Sequence, residues 1–248
     1  GVRVGVLNFA KGSSNQITQH FSTVLEDLVI AGAILVNIDE RPKAPENLGA
    51  MSYDILKYEF KDGINDYLAS TLVEQVPVRT LQQLIDYNQV NTESELILFD
   101  QSIFIASQAM DSLESQTYQS AVTRVQKATR EDGIDKLLTE YNVDVLVAPT
   151  GPVVPRVDPI NGDVWPSSWP GFGSYAAQAG YPHVTVPMGE VHSLSVNVSF
   201  IGTKNTDANM LAYAYAYEQQ SQRRIEPQYL TNAEDNPAIA EAMKAKNN

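Results

Sequence analysis

"RVGVLNFAKGSSNQ", residues 3–16, opens as an apolar strand, crosses a polar turn and ends where a helical pattern begins. Val2, Val4 and Val6 alternate onto one face, the period of a strand. Beyond the turn Ile17, Phe21, Val24, Leu25 and Leu28 recur at helical spacing, and Gly32 stops the helix. "AILVNI", residues 33–38, then supplies a second apolar strand, which completes a βαβ unit suited to a parallel sheet. The turn itself holds Lys11, Ser13 and Ser14, the residue types of a serine hydrolase with a lysine base. A nucleophilic serine needs a base in hydrogen-bond reach, a group orienting that base, and oxyanion donors. No glycine-dense run surrounds these residues, and the serines stand directly before a helix, where a hydroxyl caps the first turn. The turn reads as a cap. Gly1 lies almost inside the strand, so the expectation is that a preceding segment has been cut away.

Working outward, a Pro-containing loop through Arg41, Pro42 and Pro45 leads into a long helical middle. Four apolar faces are expected there: Phe60, Ile64, Tyr67 and Leu68; Leu81, Leu84 and Ile85; Tyr118, Ala121, Val122 and Val125; and Ile134, Leu137, Leu138 and Tyr141. "VDVLVAP", residues 143–149, is an unbroken apolar run and reads as a strand buried on both faces. A loop rich in Pro, Gly, Ser and Trp spans Thr150 to Gly173. "HVTVPMG" and "SVNVSFIG" follow as strands, then a helix with Leu211, Ala212, Tyr215 and Ala216 facing inward. Residues 231–248 read as a weak, exposed tail helix. The pattern predicts one α/β domain over residues 1–248, a mixed, largely parallel sheet layered with helices.

Composition narrows the chemistry. With 17 basic and 30 acidic residues the chain carries a formal charge of −13, which disfavours nucleic acid and anionic membrane as partners. No cysteine occurs, so disulfides, thiolate nucleophiles and Cys-bound metal are excluded, while the compartment stays open. No apolar run reaches the roughly 18 residues of a membrane span. His20, His183 and His192 lack metal-ligand spacing, so no metal site is expected. "DPINGD", residues 158–163, lacks the alternating acids and closing Glu of a calcium loop and reads as an Asx turn. No glycine-rich phosphate loop is present, so no cofactor is expected. Ser167 and Ser168 have no lysine nearby and read as loop packing or pocket wall. Asn197-Val-Ser has the glycosylation pattern but falls mid-strand.

The order of segments carries a resemblance. "YEFKDGINDYLAS", "VRTLQQLIDYNQ", "ELILFDQSIFIASQAM", "GIDKLLTEYNVDVLVAPTGPVVP", "AGYPHVTVPMGEVHSLSVNVSFIG" and "LAYAYAYEQ" follow one another as in amidase-signature hydrolases. The likeness runs from about Val2 to about Leu230 and is closest to bacterial stand-alone members of the peptide-amidase type. It implies a large mixed α/β/α sheet and serine-dependent hydrolysis of carboxamide C–N bonds. In that family the nucleophilic serine, a second serine and the lysine base belong to the N-terminal half, within a Gly- and Ser-rich signature. Nothing here matches that signature, so no catalytic residue is assigned in this chain. The expectation is a C-terminal portion, inactive alone, that supplies scaffold and pocket wall. Ser195 and Asn197, in "LSVNV", stand where relatives commonly read Pro and Gly.

Three places are expected to form the pocket wall. Trp165, Trp169, Phe172 and Tyr175 offer aromatic surface with polar tips. Asp100 and Gln101 fall where a helix presents polar groups. Thr150 ends a buried strand, at the edge where open α/β sheets place ligands. The expected partner is a small-molecule or peptide amide substrate, with no nucleic acid and no membrane. Open sheet edges and an uncovered apolar face predict self-association of the isolated chain. Two alternatives are a stand-alone, non-catalytic binding module of amidase descent and a periplasmic-type ligand-binding protein. The second should repeat β-α units throughout.

Overall fold

The opening strand β1 (Arg3–Leu7) runs parallel to β2 (Ile34–Ile38), with α1 (Asn15–Ile30) crossing between them. This computed structural model describes residues 1–155, 162, 164–229, 235 and 237. The tail-helix expectation and the "DPINGD" turn therefore lie, apart from Gly162, Asp235 and Pro237, outside the described residues. The polar turn is the cap that its residues predict: the Ser14 hydroxyl accepts the Ile17 amide at 3.4 Å. At the other end of α1, Gly32 takes a φ of 90° and releases the chain into β2.

The helical middle comprises α2 (Leu48–Ser70), α3 (Leu81–Val90), the single turn α4 (Thr92–Glu95), α5 (Ser102–Gln108) and α6 (Gln116–Thr129). A π-helical turn over Arg130–Ile134 joins α6 to α7 (Asp135–Glu140). Then come β3 (Val145–Pro149), α8 (Gly173–Ala179), β4 (His183–Val191), β5 (Leu194–Ile201) and α9 (Asp207–Ser221).

Among the described residues the strands form one sheet in the order β2-β1-β3-β5-β4. The pairings β2-β1 and β1-β3 are parallel; β3-β5 and β5-β4 are antiparallel. The sheet is thus mixed, its parallel half made by helical crossovers and its antiparallel half by a hairpin. His192 and Ser193 turn that hairpin with φ of 53° and 63°, the positive values that tight hairpin turns need. Helices cover both faces. Val4, Val6, Val147 and Phe200 pack beneath α1 and α9; Leu7, Leu146, Ala148 and Ile201 pack beneath α6, α7 and α8. Every residue of β3 is buried, as an unbroken apolar strand at the centre of a three-layer fold should be.

Two helix faces differ from the sequence expectation. On α9 the buried residues are Met210, Ala214 and Tyr217, whereas Leu211 and Tyr215 are exposed. The alternating Ala and Tyr of "LAYAYAY" give the helix no dominant face, so its neighbours decide: Tyr217 packs its ring 5.8 Å from Phe200. On α2 the buried residues are Leu48, Met51, Tyr58 and Leu68, while Phe60 and Tyr67 face outward. Tyr58 tilts onto Tyr118 of α6 at 5.4 Å, and Phe60 stacks on Phe104 of α5 at 5.3 Å. Helix α2 therefore sits between two partners and exposes a seam.

Candidate functional site at the carboxyl edge of the sheet

The chain leaves β1 toward β2 on one side and returns through β3 on the other. Such a reversal opens a crevice at the carboxyl ends of the strands, the usual ligand position in an open α/β sheet. Here the chain's own backbone fills it. The Gly171 amide donates to the Ala10 carbonyl at 2.7 Å, which pins the loop before α8 onto the 3-10 turn after β1. Gly171 has a φ of 104°, and a Cβ there would lie 2.6 Å from the Thr150 carbonyl oxygen. Only glycine fits this approach.

That seal divides the four loop aromatics. Phe172 and Tyr175 are buried, stacked at 4.2 Å, with Phe9 edge-on to Phe172 at 5.5 Å. The Arg41 guanidinium rests 5.0 Å from the Phe9 ring centre and 5.8 Å from that of Phe172. Burial raises the Tyr175 phenol above its usual range, against the opposing pull of Arg41. Trp165 and Trp169 instead lie 5.0 Å apart and are 51% and 52% exposed. Two aromatics support the loop, and two present a surface.

Thr150 follows β3 at this edge and is joined by residues that the sequence reading left aside. Its hydroxyl lies 2.8 Å from that of Thr185 and accepts from Ser199 Oγ at 2.9 Å. His183 Nε2 lies 2.6 Å from Ser199 Oγ. In the sheet Thr185 stands opposite Ser199, and Ser199 opposite Ala148, so these side chains share the face that α8 covers. The His183 ring turns inward against Gly173, and desolvation lowers its pKa below 6.5 although the residue keeps an exposed side. A period-two run of polar residues, His183 and Thr185 on one strand and Ser199 on the next, was the available signal.

Asp100 and Gln101 lie elsewhere. Asp100 is exposed and accepts the Ser102 amide at 2.9 Å, in the turn just before α5. Gln101 is buried and committed to α3, donating to the Ile85 carbonyl and accepting from Asn88, both at 3.3 Å. The Lys11 ammonium stands 5.9 Å from the Phe21 ring centre, and among the described residues it makes no hydrogen bond to Ser13 or Ser14. His20 donates to the Glu190 carbonyl at 2.8 Å, a strand-to-helix tie. A separate cleft of about 430 Å³ lies between α2, α6 and α8, lined by Ile55, Leu56, Val122 and Arg130. Its cation is already engaged: Arg130 donates to the Ala179 carbonyl at 2.7 Å and to Gln126 at 2.9 Å. No helix among the described residues is long and apolar enough to cross a membrane.

A peptide amidase solved with the competitive inhibitor chymostatin is similar at 33% identity and a TM-score of 0.81, over 92% of this chain and 45% of its own. The native peptide amidase of Stenotrophomonas maltophilia is similar at 32% identity and a TM-score of 0.77, over 93% of this chain and 45% of its own. A curated Arabidopsis thaliana protein, a probable amidase, is 25% identical over 235 residues, 93% of this chain and 40% of its own length. The chain thus spans less than half the length of each. No protein-family model matches it.

Proposed function

We propose that this chain, which is similar to peptide amidases over the part of them that it spans, is the scaffold and pocket-wall portion of an amidase-signature enzyme hydrolysing carboxamide C–N bonds. The observation that carries the reading is the likeness to a peptide amidase over 92% of the chain. In the proposed enzyme a serine nucleophile, a second serine and a lysine base come from outside residues 1–248. The local chemistry agrees: Ser14 is occupied as a helix cap and Lys11 is directed at an aromatic ring. Without nucleophile and base, a pocket wall alone retains at most the catalysis that binding supplies. The substrate is a small-molecule or peptide amide. Its non-reacting part meets the exposed Trp165–Trp169 pair, and its polar part meets the edge at Thr150. Phe172 and Tyr175 act in this reading by holding the loop.

The antiparallel β4–β5 hairpin interrupts the β-α repetition that a periplasmic-type binder requires. The test is kinetic. The 248-residue chain alone is expected to leave primary amides of N-acylated amino acids intact. In the gene product containing it, Trp165→Ala or Trp169→Ala is expected to change the ratio of kcat/KM between aromatic and small acyl amides by roughly tenfold. Turnover by the chain alone that is lost in Ser13→Ala, or unchanged selectivity in both tryptophan variants, overturns the proposal.

A further inference from the structure

The string from His183 through Ser199 and Thr150 to Thr185 holds more protons than it has internal bonds in which to place them. Its three contacts measure 2.6, 2.9 and 2.8 Å. Ser199 has a single hydroxyl proton and directs it to Thr150. The short contact between Ser199 and His183 therefore needs the proton of the ring, so His183 is protonated at Nε2. Four protons then serve three bonds, and the one left over, which belongs to the Thr150–Thr185 pair, has no other acceptor among the described residues. The middle of the string is closed, because Ser199 is fully buried, and the His183 ring is held so near Gly173 that a Cβ there would come within 2.7 Å of it. The outer end is open at Thr185, which is exposed.

We propose that the Thr150–Thr185 pair is the donor that receives the carbonyl oxygen of a carboxamide ligand, with Ser199 and His183 as positioning residues that fix the direction of its free proton. The inference rests on the pocket-wall reading and names the atoms with which that wall would hold the amide. A spare hydroxyl proton fits an acceptor oxygen, and the chain's charge of −13 favours a neutral carbonyl over a carboxylate. Gly171 abuts the Thr150 carbonyl, so the loop that carries the exposed Trp165–Trp169 pair runs past the Thr150 backbone. Burial keeps the imidazole neutral at pH 7 with one ring proton, consistent with this direction. Such a string polarises along its length, which strengthens the terminal donor.

Two measurements test it. Long-range 1H–15N correlation on the ligand-free protein is expected to find His183 as the Nε2–H tautomer; the Nδ1–H tautomer overturns the proton direction whatever the chain binds. Titration with N-acetylphenylalanine amide, followed by backbone amide shifts, is expected to perturb residues around Thr150 and Trp169. The Thr150→Val/Thr185→Val double variant is expected to raise Kd about tenfold, while Thr150→Ser/Thr185→Ser retains affinity. Equal binding by the valine variant overturns the donor role and leaves the pocket wall standing. Absence of any perturbation in the unmodified protein overturns the pocket wall, and the donor role with it.

Discussion

Arg223 lies 196 positions from Asp27 in sequence, yet donates two hydrogen bonds to one of its carboxylate oxygens, at 3.0 and 2.7 Å. The pair fastens the chain beyond α9 to α1, and Asp27 is buried. Its hydrogen bond raises the Arg223 guanidinium above its already high range. Removing one partner leaves the other charge poorly solvated, which costs more than the pair contributes when intact. Asp27→Asn and Arg223→Ala are each expected to destabilise by about 2 kcal/mol, less than a fully buried pair because Arg223 keeps contact with water. Urea unfolding should shift in midpoint without a change in slope.

His183 predicts a pH dependence. Its folded-state pKa lies below 6.5, so on acidification the unfolded chain takes up a proton first. The contribution to stability is therefore fully present above pH 6.5 and is lost as pH falls through the lower folded value. His183→Gln, which keeps a side-chain N–H, is expected to flatten this part of the profile. Denaturant midpoints between about pH 7 and pH 5 provide the check.

Gly32 and Gly171 separate two costs of replacing a left-handed glycine. Both have positive φ, of 90° and 104°, but a Cβ on Gly32 meets nothing within 4 Å. Gly32→Ala is expected to cost about 1 kcal/mol, the conformational strain alone. Gly171→Ala adds a clash with the Thr150 carbonyl and is expected to cost at least about 2 kcal/mol more. Near-ultraviolet dichroism should report the same difference, because the exposed tryptophans ride on the Gly171 loop.

The seam beside α2 predicts association. Tyr53, Leu56, Phe60 and Ile103 line one groove on the exposed side of α2 and α5. Contiguous apolar surface of this kind favours burial against a second copy. Sedimentation at high concentration is expected to reveal dimers or larger species. Leu56→Glu is expected to weaken the association roughly tenfold or more. A strictly monomeric profile for the unmodified chain would count against the groove.

Legibility in the sequence followed the strength of local pattern. The strand–turn–helix opening, the Ser14 cap and the buried run over Val145–Pro149 were readable because period and cap chemistry agree within a few residues. Helix α9 was misread by one residue because Ala and Tyr alternate and leave packing against Phe200 to choose the face. Of the polar string, only Thr150 and the period-two spacing of His183 and Thr185 were legible; the connection between strands was not. It depends on the register that sets Thr185 opposite Ser199 across a hairpin, and only then do two distant polar residues meet. Asp100 and Gln101 read in one dimension as polar groups that a helix presents to the pocket; a neighbouring helix absorbs Gln101 in three.

The position of β3 also has a kinetic meaning. Flanked by β1 and β5 and covered above and below, its amides can meet deuterium only when the whole structure opens, whereas the outer margin of β2 has no neighbour among the described residues. Isotope labelling should therefore advance from the flanks toward the middle, with Leu146 and Val147 the last to exchange and their protection equal to the global unfolding free energy.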